Sequence, residues 1–94
     1  VIEIQTFRLA AGTSEDQFLA ADRAVQTEVV PNQPGFARRT TARGDGGEWV
    51  VVTLWWTDAD ASAAATLEHP ALDAFAVAID PATLVVRRFE ELPG

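Results

Sequence analysis

Glu48-Trp49-Val50-Val51-Val52-Thr53-Leu54-Trp55-Trp56 is the most apolar stretch of the chain. Its run of β-branched and aromatic residues reads as a central strand, buried on both faces. Just upstream, Gly44-Asp45-Gly46-Gly47 supplies the positive φ angles of a tight reversal, which makes Phe36 to Arg43 the preceding strand of a hairpin. Downstream, Thr57-Asp58 caps an alanine-rich helix that His69-Pro70 interrupts, because the residue before proline is pushed out of helical geometry. A further helical segment from Pro70 to about Ile79 carries Leu72, Phe75, Ala76 and Ile79 at i, i+3, i+4 and i+7. Asp80-Pro81 stops it, and Thr83 to Glu91 reads as the last strand.

The N-terminal third completes the pattern. Residues 1–9 alternate as a strand, with Ile2, Ile4 and Thr6 on one face and Glu3, Gln5 and Phe7 on the other. Thr13 or Ser14, followed by Glu15 and Asp16, opens a helix that runs to about Val30 and is closed by Pro31. The order βαββαβ is that of a ferredoxin-like α+β domain, with a four-stranded antiparallel sheet and the helices on one face. The other face would carry Ile2, Ile4, one side of the Trp49–Trp56 strand, and either Leu84 with Val86 or Val85 with Phe89. Left open to water, that is a larger apolar patch than monomers tolerate, so pairing of two copies through their sheets is expected.

The 94 residues suffice for a single domain over 1–94, and such a chain buries only about 60–65% of its unfolded surface. Seven Arg and no Lys stand against fourteen acids, a net charge of −7, which argues against nucleic acid and against a polybasic membrane anchor. There is no Cys or Tyr, and His69 is the one histidine, so thiolate, phenol, Schiff-base and multi-histidine metal chemistry are excluded and no metal or cofactor is expected. No segment reads as a targeting signal or approaches the ~18 apolar residues of a membrane span; a cytoplasmic protein is expected.

Phe7-Arg8-Leu9-Ala10-Ala11-Gly12-Thr13 at the end of the first strand and Pro34-Gly35-Phe36 entering the second carry a resemblance to a known family. So do Trp55-Trp56 ahead of a helix and His69-Pro70-Ala71 near its end. Over nearly its whole length the chain resembles the dimeric α/β-barrel superfamily, which includes antibiotic biosynthesis monooxygenases, haem-degrading oxygenases, stress-responsive barrel proteins and many uncharacterised small proteins. The resemblance implies a dimeric α/β barrel whose ligand lies between sheet and helices. The haem-degrading branch uses an Asn, a Trp and a His on one cavity. These positions fall on Gln5, near Ala65 and near Phe75, so haem degradation is disfavoured.

Candidate site residues are polar groups on apolar faces. At about 100° per residue, Phe18, Val25 and Val29 define the buried arc of the first helix; Asp22 falls inside it and Gln26 beside it. A carboxylate there either pairs with an Arg or borders a cavity. Glu3 and Gln5 share one face of the first strand, either as the wet side of an edge or as cavity lining. His69 either caps the helix ahead of Pro70 or moves a proton with Asp22 or Glu3 as partner. Trp55 and Trp56 point to opposite faces, one to the helices, where it could stack on an aromatic ligand, and one to the dimer seam. One member of each doublet, Arg38-Arg39 and Arg87-Arg88, faces inward or to an edge as counter-ion to the acids.

Two functions follow. The first is a cofactor-independent monooxygenase- or isomerase-like enzyme for a small aromatic or polyketide-like compound. In it Asp22 and His69 would be catalytic, with Glu3, Gln5, Gln26, Trp55 and Trp56 on the ligand. The second is a non-catalytic small-molecule-binding or stress-associated protein.

Overall fold

A computed structural model describes all 94 residues. Strands β1 (Ile2–Phe7), β2 (Phe36–Arg43), β3 (Trp49–Trp55) and β4 (Val85–Phe89) form one antiparallel sheet in the order β2-β3-β1-β4. Helices α1 (Glu15–Ala24), α2 (Asp58–Ala64) and α3 (Pro70–Val77) complete the βαββαβ order, the last two being halves of one crossover. Trp49, Val51, Thr53 and Trp55 are buried, while Val50, Val52 and Leu54 between them are half-buried. The expectation of burial on both faces is therefore corrected: β3 alternates, because no element of this chain covers its second side.

Local chemistry sets the element ends. Ser14 caps α1 in a capping box with Gln17, and the Thr57 hydroxyl accepts from the Asp60 amide at the start of α2. α2 stops at Ala64, before His69-Pro70: the Thr66 hydroxyl donates to the Ala63 carbonyl and the chain turns out of helical register. The first helix does not stay α-helical to Val30. From Val25 to Val29 it widens into a π-helical turn, where β-branched Val25, Thr27 and Val29 crowd an ordinary helix. The last strand starts later than expected, since Asp80 caps a short 3₁₀ turn over Pro81–Thr83.

The core has two parts. Phe7, Phe18, Trp49, Val51, Ala78 and Ile79 pack solidly at one end, with Phe18 and Trp49 centroids 4.8 Å apart. Val25, Val29, Val30 and Ala71 form the second cluster, joined by Phe36 and Leu72. Phe75 touches both. No helix is long and apolar enough to cross a membrane.

Candidate functional site

The second half of the core is hollow. Between the sheet and the helices lies a cavity of about 440 Å³, within the roughly 300–1,000 Å³ typical of small-molecule sites. Its roof is apolar: Val25, Val29 and Val30, then Ala61 and Ala64 of α2 with Ala65 just past its end, then Leu72, Phe75 and Ala76 of α3. The alanines of α2 leave the space unfilled. The floor comes from the sheet and is partly polar. Antiparallel register sets Glu3 opposite both Thr53 and Arg88, and Gln5 opposite Val51 and Val86, so alternation directs Glu3, Gln5, Thr53, Trp55 and Arg88 to the helical side.

Two ion-pair networks flank this floor. At one side Arg39, its side chain 4% exposed, holds Asp22 at 2.8 Å and donates to the Gln26 amide oxygen at 3.3 Å. The Thr41 hydroxyl adds a 2.9 Å bond to the same Asp22 oxygen, and the guanidinium lies 5.5 Å from the Phe75 ring centroid. At the other side Arg88 bonds Glu3 through Nε at 3.1 Å, and reaches Asp58 at 3.2 Å and Ser62 at 2.9 Å through Nη1. Arg88 thereby ties β1, β4 and α2 together. Its hydrogen bond to Glu3 raises its pKa above the usual guanidinium value, against the opposing effect of desolvation. A basic group raised in this way contributes stability below its unfolded-state pKa and loses it only as pH rises through the folded one. Both lie beyond neutral conditions, so Arg88 stays charged.

Of the residues singled out from sequence, the fold gathers Glu3, Gln5 and Trp55 on the cavity wall. Asp22 and Gln26 are not on it; they reach it through Arg39, which is. His69 is not on it either: its Nδ1 accepts from the Ala71 amide at 3.0 Å and caps α3. Asp22 and His69 are thus satisfied separately, by a guanidinium and by a helix end. Trp56, 77% exposed, lies beyond the end of β3 and does not line the cavity; Trp55 is the tryptophan that faces the helices.

Several lining residues were not assigned to the site from sequence. Thr53 sits among valines and passes for a strand filler; Asp73 is exposed and borders the cavity from α3; Phe75 reads as part of the helical core stripe. Arg39 was one of two equivalent candidates. A bulge between Phe36 and Arg38 turns Arg39, not Arg38, inward. Asp73 is the lining carboxylate that no cation neutralises, since Glu3 is held by Arg88. Finally, the indole Nε1 of Trp55 is buried and has no hydrogen-bond partner in the protein, which normally costs about 1–3 kcal/mol.

No family model matches the chain, and no curated protein matches it. Solved structures do. SnoaB, a cofactor-independent oxygenase from Streptomyces nogalater, superimposes with a TM-score of 0.81 over 99% of this chain and 93% of its own, at 16% identity. An antibiotic biosynthesis monooxygenase matches with a TM-score of 0.76 over 98% of both chains at 14% identity. A candidate antibiotic biosynthesis monooxygenase of Chloroflexus aurantiacus gives 0.70 over 99% and 93% at 19% identity. At these identities the likeness speaks for backbone architecture, and on that ground the chain has the ferredoxin-like α+β fold of the antibiotic biosynthesis monooxygenase-like proteins.

Proposed function

We propose that the protein takes a small aromatic or polyketide-like molecule into the cavity between sheet and helices and acts on it without a resident cofactor, as a monooxygenase- or isomerase-like enzyme. The observation that carries this reading is the hollow half of the core, with an apolar roof over a partly polar floor. In such a site Trp55 and Phe75 offer flat walls to a ring, and Gln5 and Glu3 orient its polar edge. Asp22, Gln26 and His69 act as positioning residues: the first two hold Arg39 against Phe75, and the third fixes the start of α3.

Chemistry of this kind requires a substrate with a C–H bond whose carbanion is stabilised by an adjoining ring or carbonyl. Asp73, the unpaired carboxylate at the exposed edge of the cavity, is in this reading the base that accepts that proton. The carbanion then either regains a proton at another carbon, which is isomerisation, or gives its electrons to dioxygen. In the second case a CH₂ group and O₂ become C=O and water.

The test uses 2-tetralone, a two-ring ketone with an acidic CH₂. Wild-type protein is expected to catalyse deuterium exchange at that carbon or oxygen uptake, and Asp73→Asn to lose about 10²-fold or more of the rate. Binding without either reaction would favour the second reading, a non-catalytic binding protein, which the separate satisfaction of Asp22 and His69 supports. No binding would sink both.

We also propose that two copies pair through the uncovered sheet face. Ile2, Ile4, Val50, Val52, Leu54, Val85 and Phe89 share that side by register and alternation, and Phe89 remains 39% and Val85 52% exposed in the single chain.

A further inference from the structure

We infer that Trp55 selects guests that carry a neutral hydrogen-bond acceptor, and that its indole N–H binds a carbonyl or ether oxygen of the occupant; this rests on the reading of the cavity as a small-molecule site. The residue forms part of the wall, is 6% exposed, and its Nε1 is the buried side-chain polar atom left without a partner. Of the charged groups at the cavity, Glu3 is engaged with Arg88, and Arg39 with Asp22 and Gln26. On the side of β2 the indole meets the Phe36 ring, 5.9 Å away between centroids, which offers no conventional acceptor. Phenylalanine would line the same wall without leaving a donor unmet, so what the indole adds is the N–H.

The charge pattern decides what kind of oxygen fits. Both lining guanidinium groups are already neutralised by carboxylates, and Asp73 adds an unpaired negative charge. An anionic ligand gains nothing there, whereas a neutral carbonyl meets the N–H at no Coulombic cost. Nε1 is closed to solvent in the protein. The guest therefore reaches it through a small turn of the ring as it enters.

The chain has three tryptophans, hence three indole N–H resonances, and the Trp55→Phe variant assigns the one that matters. Two probes of matched shape, 2-tetralone and its carbonyl-free counterpart tetralin, are titrated into ¹⁵N-labelled protein. The ketone should move the Trp55 resonance downfield and bind about 5–10-fold more tightly than tetralin, the span of one hydrogen bond. Tetralin should bind while leaving that resonance close to its free position. In Trp55→Phe the preference should vanish with tetralin binding retained; if that variant fails to fold, the wild-type comparison still decides. Equal binding of both probes, with the Trp55 resonance unmoved by the ketone, overturns the role of Trp55 and leaves the cavity standing as a site. Failure of both probes to bind overturns the cavity reading and this inference together.

Discussion

Asp22 and Arg39 carry the largest single electrostatic stake in the molecule. Arg39 is almost wholly buried and Asp22 is 14% exposed, so removing either partner strands a charge in the core. Breaking a fully buried pair costs about 3–5 kcal/mol; the residual exposure of Asp22 puts Arg39→Ala near the lower end, at about 3 kcal/mol in urea denaturation. The double replacement Asp22→Leu with Arg39→Met should recover most of that loss, since well-packed apolar residues often match a buried pair. His69 calls for a different test. As a cap, His69→Ala should lower stability by about 1 kcal/mol, and His69→Ser should retain most of it by accepting from the Ala71 amide. Catalytic involvement would instead appear as a loss of turnover in the serine variant at unchanged stability. At this scale the sequence exposed the anomaly and not its resolution. Asp22 on an apolar arc was visible from helical periodicity alone, but its partner lies on β2 and faces inward because of a backbone bulge that no residue type announces.

Among the elements, the β2–β3 hairpin and the helix starts were legible because each is written in local chemistry: alternation, glycines at positive φ, and Ser or Thr at the caps. The π-helical turn and the early end of α2 were not: the first depends on how β-branched side chains crowd one turn of the folded helix, the second on the Thr66 hydroxyl competing for the Ala63 carbonyl. The hollow itself was readable only as a hint, in the alanines of α2; that they face an unfilled space follows from the packing of three separate elements. The loop into β2 carries a sharper constraint. Gly35 has φ +77°, and a Cβ there would collide with the Asp60 carboxylate in α2. That carboxylate also accepts from the Thr57 hydroxyl at the cap, so it is not free to swing away without loosening α2. Gly35→Ala should therefore cost about 1–3 kcal/mol, combining backbone strain with displacement of Asp60. Thermal denaturation checks it, and Gly12→Ala, with positive φ but open space around its Cβ, separates strain from contact.

For the molecule as a whole, the uncovered sheet face makes association the dominant question. Val52 stands opposite Ile4 in the middle of that face, so Val52→Glu should convert a paired species to single chains in sedimentation at micromolar concentration, with little change in secondary structure. Wild-type protein sedimenting as a stable monomer would remove the basis of the pairing proposal. The two faces of β1 were separable from period-two alternation alone, but those of β3 were not, because both of its sides are apolar in residue type. One consequence of the divided core remains. Amides beneath Phe7, Phe18 and Trp49 lie under solid packing, whereas those of α2 and the π-helical turn cover a void and forgo contact energy on one side. Native-state hydrogen exchange should thus be slowest in the first group and reach the second through local openings well below the cost of global unfolding. A guest that fits should slow the second group most, so the exchange map would reveal occupancy before any product is identified.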